Sequence, residues 1–166
     1  AVSAAYGFQI DLNTSFTGED SFDVSIDAGN AGSGSTAGSF PAFDELDLND
    51  NGDTLAVDGI SYTFPLGDKT TVFVGDSVDG SLLYNTACVY GSPTDTMDDC
   101  GAKSSVLDEG LGTAAGASFD FGDGFTAAIG YTGAGSSSSG LLTKEGNDSY
   151  GLQLTYTDED FGASVT

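Results

Sequence analysis

The chain has 166 residues, which is the size of one ordinary domain. It carries 26 acidic residues against three basic ones and no histidine, so its formal charge at pH 7 is −23. This balance excludes nucleic-acid binding and attachment to anionic lipid through a basic patch, because both need clustered Lys and Arg. Such a surface either attracts cations or is simply the solvated exterior of a protein from a saline habitat.

Apolar and polar residues alternate along most of the chain, as in Phe-Gln-Ile-Asp-Leu at residues 8–12. A period of two is that of a β-strand, because successive side chains point to opposite faces of a sheet. The pattern therefore predicts an all-β, antiparallel protein. Strands are expected at residues 6–16, 21–28, 55–66, 69–76, 115–123, 125–132, 148–157 and 160–166, with a weaker one at 40–48.

Short and long connections alternate between these strands. Thr17–Asp20 is a tight polar turn of the kind that joins hairpin strands, whereas residues 29–39, 77–112 and 133–140 form long connections. Short turns on one side and long loops on the other are typical of a transmembrane β-barrel. We therefore predict an antiparallel transmembrane β-barrel, or part of one, as a single domain over residues 1–166.

Which face of the predicted sheet is buried decides what kind of protein this is. In a soluble β-sandwich the apolar set would face a core and the polar set would face water. In a membrane barrel the apolar set would face lipid and the polar set would line a water-filled pore, whose acidic residues favour cations. Alternation leaves both interpretations open. The candidate pore-lining residues are Gln9, Asp11, Asp23, Asp27, Asp120 and Gln153.

Three stretches share a further pattern: residues 8–18, residues 57–75 with the element Tyr62-Thr-Phe-Pro-Leu-Gly-Asp68, and residues 150–165. Together they resemble the cyanobacterial outer-membrane porins, relatives of the carbohydrate-selective porin family. The resemblance implies a trimeric porin that passes ions and small hydrophilic solutes by passive diffusion. With the acidic composition, it implies the outer membrane of a Gram-negative, marine cyanobacterial cell.

The resemblance also implies that residues 77–112 form a long loop that folds inward and narrows the pore. Porin barrels of this kind have about sixteen strands, and the chain supplies roughly half of them. We therefore expect part of a barrel.

Two features suggest a bound ion or a crosslink. Residues 47–58 have the spacing of a calcium-binding loop, with side-chain oxygens at the first, third and fifth positions, glycine at the sixth and a carboxylate at the twelfth. The alternative is a polar hairpin tip without metal, and no other cofactor is expected. Cys88 and Cys100 are predicted to form a disulfide, the alternative being two free thiols. The candidate calcium ligands are Asp47, Asn49, Asn51, Asp53 and Asp58.

Two other functions compete with the porin. One is a secreted β-sandwich adhesin or a subunit of an extracellular filament or surface layer, with or without calcium. The other is a small β-sandwich glycosidase that uses two carboxylates, although no pair is placed at the spacing that this reaction needs. Since the chain has no histidine, a Ser–His–Asp site is impossible, and we predict that the protein is not an enzyme.

Overall fold

A computed structural model describes residues 6–30, 53–85, 112–134, 142, 147–159 and 161–166. These residues form eight β-strands, and no helix occurs among them. The strands are β1 (Gly7–Thr14), β2 (Ser21–Gly29), β3 (Ala56–Pro65), β4 (Thr70–Val78), β5 (Gly112–Gly122), β6 (Phe125–Ala134), β7 (Asn147–Thr157) and β8 (Gly162–Val165).

All eight strands belong to one antiparallel sheet, in which each strand pairs with its neighbours in sequence. The all-β, antiparallel prediction is thus confirmed. Closure into a barrel is not found: the order runs from β1 to β8, and these two strands form opposite edges of the sheet. An eight-stranded barrel encloses little more than its own side chains, and this sheet carries an extra backbone segment on one face.

The turns of the sheet are sorted by length. The four short turns follow the odd-numbered strands and lie at one end, which we call the short-turn end. The longer connections follow the even-numbered strands and start from the opposite, long-loop end. In the β5–β6 turn, Gly122, Asp123 and Gly124 have φ angles of 89°, 52° and 82°. Only glycine and a few polar residues adopt this left-handed backbone readily, which explains the composition of the turn.

Strand β5 starts at Gly112, earlier than the predicted start at residue 115. Its first residues are small and lack alternation, so the sequence carries no period-two signal there. Pairing with β6, as in Thr113 opposite Gly133, supplies the strand instead. Strand β4 likewise extends to Val78, past an irregularity in its pairing with β5. The predicted strand at 40–48 lies outside the described residues.

The register sorts the side chains onto two faces. The apolar face carries Phe8, Ile10, Leu12, Val24, Val57, Ile60, Tyr62, Val74, Phe119, Phe125, Ile129, Tyr150, Leu152, Leu154 and Val165. The polar face carries Gln9, Asp11, Asn13, Asp23, Ser25, Asp27, Ser61, Thr63, Phe73, Ala114, Gly116, Asp120, Thr126, Ala128, Thr132, Gln153 and Thr155.

Apart from Ala28, the buried side chains of the described strands lie on the polar face. Phe73 is fully buried there, and Thr132 and Gln153 are each 2% exposed. The ring of Phe73 fits against Gly116, where a Cβ atom would lie 2.5 Å from the ring. Side chains are therefore packed on the polar face, which from its polar residues would be expected to face water.

Candidate functional site

The apolar face is uncovered along the whole width of the sheet. The exposed fraction is 53% for Leu12 in β1, 57% for Ile129 in β6 and 56% for Leu154 in β7. A soluble domain rarely exposes a continuous apolar surface of this extent. Among the described residues, no second layer of protein covers it.

Aromatic side chains collect at the short-turn end of the apolar face. In the first half of the sheet, the Phe16 ring centroid lies 5.9 Å from that of Phe22 and 6.0 Å from that of Tyr62. In the second half, Tyr156 lies 4.6 Å from Phe125 and 5.5 Å from Phe161. We call this row the lower aromatic belt; it also includes Phe64, Phe119 and Phe121.

A second, sparser group of aromatic side chains lies toward the long-loop end. Tyr131 and Tyr150 are paired across β6 and β7 with their ring centroids 5.3 Å apart. Tyr6 precedes β1 at the same end. Between the two groups the apolar face is mainly aliphatic, as at Ile129 and Leu152.

Tyrosines at both ends donate their hydroxyl groups to carboxylates. At the short-turn end, Tyr62 donates to Asp20 at 2.7 Å and Tyr156 to Asp158 at 3.2 Å. At the long-loop end, Tyr6 donates to Asp53 and Tyr131 to Asp148. Each of these rings thus has an apolar body on the sheet and a polar tip beside a charged group, the arrangement favoured where an apolar medium meets water.

The polar face of β1–β3 is an open, acidic surface. The Asp11 carboxylate accepts hydrogen bonds from Gln9 Nε2 and Ser25 Oγ, both at 2.7 Å. Nearer the short-turn end, the Asp23 carboxylate accepts hydrogen bonds from Asn13 Nδ2 and from Ser21 Oγ. These bonds hold the carboxylates in place without neutralising them, so this part of the sheet keeps its negative potential.

The polar face of β5–β7 is covered by residues 79–85, which leave β4 and lie across it. The Gly80 N–H donates to Thr132 Oγ1 at 2.8 Å. The Asn85 N–H donates to Gln153 Oε1, and its side-chain Nδ2 donates to Thr126 Oγ1, both at 2.8 Å. We call residues 79–85 the covering segment.

The fit of the covering segment depends on glycine. A Cβ atom at Gly80 would lie 2.5 Å from Thr132 Oγ1 and 2.7 Å from the Tyr131 carbonyl oxygen. Real Cβ contacts are never this short, and one of these neighbours is backbone. Any residue other than glycine at position 80 would therefore force the segment away from the sheet.

Two buried hydroxyl groups lie in this covered region. Among the described residues, neither Tyr84 Oη nor Thr155 Oγ1 has a hydrogen-bond partner of normal geometry. Burial, and secondarily Asp79, raise the pKa of Tyr84, while the neighbouring Gly130 backbone opposes the rise.

The six candidate pore-lining residues all lie on the polar face, but in three different settings. Asp11, Asp23 and Asp27 come together on β1 and β2. Asp120 is at the short-turn end of β5, where its carboxylate accepts the Gly122 N–H at 2.7 Å. Gln153 is buried beneath the covering segment and binds it.

The calcium and disulfide predictions fall largely outside the described residues, which exclude Asp47, Asn49, Asn51, Cys88 and Cys100. Of the remaining candidate ligands, Asp53 accepts the Tyr6 hydroxyl hydrogen bond, and Asp58 lies in β3 beside an irregularity in its pairing with β2. In the described part of the chain, no three acidic or sulfur-bearing side chains are grouped as a metal site would require.

Sequence reasoning missed the covering segment. Its residues, from Asp79 to Asn85, have neither strand nor helix periodicity, and their partners lie far along the chain. The tyrosine–carboxylate pairs carried a partial signal: Asp158 follows Tyr156 by two positions just after a strand, which places both at the same end of the sheet.

Comparison with known proteins adds no assignment: no family model, no curated protein and no solved structure matches this chain. None of the described residues belongs to a helix with the length and apolar character needed to cross a bilayer.

Proposed function

We propose that this chain forms part of the wall of an outer-membrane porin, which passes ions and small polar solutes by passive diffusion through an acidic, water-filled pore. In this proposal the apolar face contacts lipid and the polar face lines the pore. The protein performs no catalysis. Its setting is the outer membrane of a Gram-negative, marine cyanobacterial cell, as the sequence resemblance implies.

One observation carries the proposal: the sheet is exposed on its apolar side in both halves, whereas its polar side is packed over β5–β7. Ile129 on the apolar face is 57% exposed, whereas Gln153 on the polar face is 2% exposed. A soluble protein gains stability by the reverse arrangement, because burying apolar surface is its main driving force. A membrane barrel needs this arrangement, because lipid replaces water outside and water fills the inside.

The aromatic groups support the same orientation. Tyr150 and Tyr156 lie on the apolar face of β7 in its long-loop and short-turn halves, and the six residue steps between them span roughly 20 Å. Outer-membrane barrels have an apolar band of about 25 Å between aromatic girdles. Strand tilt shortens the vertical distance between Tyr150 and Tyr156, so these rings fit the inner margins of such girdles.

The open sheet accords with part of a wider barrel. Eight strands close around an interior that side chains fill, whereas barrels of sixteen or more strands leave an aqueous channel. The covering segment places backbone on the polar face, which requires the wider interior. We propose that further strands complete the barrel and that, as the resemblance implies, complete barrels associate as trimers.

The pore proposed here favours cations. Asp11, Asp23 and Asp27 lie on the uncovered part of the polar face, and the described residues contain a single basic side chain, Lys69. Fixed negative charge raises the local concentration of cations and lowers that of anions, an effect that salt weakens.

Extraction and conductance test the proposal. We expect the native protein to require detergent for extraction, to migrate differently on gels before and after heating, and to produce cation-selective conductance steps in planar bilayers. Solubility in buffer without detergent would contradict the proposal and favour the secreted adhesin or filament subunit. Membrane insertion without conductance would leave a barrel that is not a pore.

A further inference from the structure

Carboxylates stand on every short turn, directly beside the lower aromatic belt. Glu19 and Asp20 belong to the β1–β2 turn, Asp68 to the β3–β4 turn and Asp123 to the β5–β6 turn. The β7–β8 turn adds Asp158 and Glu159. In the proposed porin, aromatic belts lie at the depth of the lipid headgroups, so this ring of negative charge faces the headgroups of one leaflet.

Several of these charges are fixed at that depth. Asp20 accepts hydrogen bonds from Ser15 Oγ at 2.5 Å, from the Thr17 N–H at 2.8 Å and from the Tyr62 hydroxyl at 2.7 Å. The hydrogen bond from Ser15, with those from Thr17 and Tyr62, holds the Asp20 pKa well below its ordinary value, so this carboxylate stays ionised. Tyr156 likewise ties Asp158 to the belt.

Almost nothing balances this charge. Lys69, in the β3–β4 turn, is the one basic residue in the described ranges, and the full chain has three basic residues against 26 acidic ones. Proteins that contact anionic headgroups place Lys and Arg there, since each basic residue near such a surface contributes about 1 kcal/mol of attraction. Carboxylates at the same depth experience repulsion instead.

We propose that the leaflet at the short-turn end presents headgroups without net charge, and that anionic headgroups oppose insertion of this protein. The inference rests on the proposed function, because it assumes that the apolar face contacts lipid. It goes further by assigning the chemistry of the lipid partner from the ring of carboxylates at the belt.

Vesicles of two compositions test this assignment with the complete barrel, because an open sheet of eight strands would leave its edge strands unpaired in lipid. We compare folding from detergent into phosphatidylcholine vesicles and into the same vesicles with about 30% phosphatidylglycerol, using heat-modifiable migration as the readout. At about 0.01 M salt, where screening is weak, we expect at least about a tenfold lower folded yield at limiting lipid with the anionic vesicles. At about 0.5 M salt the two yields should converge.

Two double variants of equal charge separate the turn carboxylates from net charge. Asp68→Asn with Asp123→Asn removes two exposed turn charges; Asn tolerates the left-handed backbone at residue 123. Asp23→Asn with Asp27→Asn removes two charges from the polar face. We expect the turn variant to recover several-fold of the yield in anionic vesicles, and the polar-face variant to leave the ratio of the two yields at the wild-type value.

Each outcome is decisive. Equal yields of the wild-type protein in both vesicles at low salt would overturn the lipid assignment and leave the porin proposal standing. Equal recovery by the two double variants would also overturn it, because net charge rather than the belt would then be responsible. Failure to fold into either vesicle would remove the porin proposal itself and the lipid assignment with it.

Discussion

The polar face is built differently in the two halves of the sheet, although the apolar face is alike in both. In β1–β3 the polar face is open, and its carboxylates are held by neighbouring hydroxyl and amide groups, as Asp11 is by Ser25. In β5–β7 the polar face consists of small residues and is covered by residues 79–85. Ile10 and Ile129, on the apolar face of the two halves, are 47% and 57% exposed.

The apolar and polar faces are therefore constrained separately, each by what it contacts. The apolar face is alike in both halves because, in our proposal, both halves contact the same medium, lipid. On the polar side of the proposed pore, the uncovered acidic half would offer a path for ions, whereas the covered half is occupied by residues 79–85. The path for solutes should therefore run along β1–β3.

A charge placed on the apolar face should produce the largest effect, and the same effect in both halves. We expect Ile10→Lys and Ile129→Lys each to lower the free energy of unfolding in bilayers by about 2–4 kcal/mol, because an ammonium group near the middle of the lipid is poorly solvated. Titration with denaturant in the presence of vesicles measures this.

The matched control is Asn13→Lys on the polar face, where the new amine can pair with Asp23, the present partner of Asn13. It should change the free energy of folding by less than about 0.5 kcal/mol, as an exposed surface substitution does. If Ile10→Lys and Ile129→Lys were equally mild, the apolar face would be in water and the lipid interpretation would fail.

Displacing the covering segment should act on the second half alone. Gly80→Val puts a side chain into the space of Thr132 Oγ1 and the Tyr131 carbonyl, so the segment must lift from the sheet. Overpacking of this kind costs about 1–3 kcal/mol. We expect lower stability together with lower single-channel conductance, since the lifted segment then moves into the interior.

Leu82→Ala is the control within the same segment, because Leu82 is 42% exposed. It should leave stability and conductance close to wild type. A Gly80→Val protein that lost stability without any change in conductance would place the covering segment away from the path of the ions.

Removing charge from the first half should change ion selectivity rather than stability. A unit charge about 8 Å from an ion in water changes its energy by about 0.5 kcal/mol, or about twofold in local concentration. Because cations are enriched and anions depleted by the same factor, each charge changes the cation-to-anion ratio about fourfold. We therefore expect Asp11→Asn with Asp23→Asn to reduce the cation-to-anion permeability ratio by up to about sixteenfold at low salt. Asn keeps an oxygen for the hydrogen bonds from Gln9 and Ser25.

Reversal potentials in a salt gradient measure this ratio. Asp123→Asn, in the β5–β6 turn, removes a carboxylate that lies off the polar face and should leave the ratio unchanged. A selectivity that followed Asp123 and ignored Asp11 would move the ion path away from β1–β3.

The individual strands, rather than the two halves, were unequally predictable from the sequence. Strands such as β2 and β7 alternate cleanly, so their positions and faces follow from period two. The first residues of β5 are small and β4 contains Val72-Phe73-Val74, so neither has a readable alternation. The position of Phe73 on the polar face follows from pairing with Gly116, which no local pattern encodes.

The covering segment was beyond prediction for a related reason. Gly80 binds Thr132 and Asn85 binds Gln153, and these partners are 52 and 68 positions apart in sequence. Contacts at such separation depend on the assembled sheet. Placing Asp11, Asp23 and Asp27 on one surface needed only alternation and a hairpin, which is why that part of the candidate site could be predicted.

The short turns of the two halves should also differ in how their stability depends on pH. In the first half, the Asp20 carboxylate organises the β1–β2 turn through Ser15, Thr17 and Tyr62, and these hydrogen bonds lower its pKa. A lowered folded-state pKa means that this stabilisation is complete above the ordinary pKa of about 4 and is lost as the pH falls below it. In the second half, the β5–β6 turn depends on backbone conformation at Gly122 and Gly124 instead.

We therefore expect Asp20→Asn to lower the Tm by a few degrees at pH 7, the smallest of these effects, and Asp123→Asn to leave it unchanged. Asn offers one oxygen and no charge, so it replaces only part of the hydrogen bonding that Asp20 provides. Melting curves recorded from pH 7 down to pH 2 provide the sharper measurement. The gap in Tm between wild type and Asp20→Asn should stay constant above about pH 5 and close as the wild-type carboxylate is protonated. A gap that persisted undiminished at pH 2 would mean that the charge of Asp20 contributes nothing to the turn.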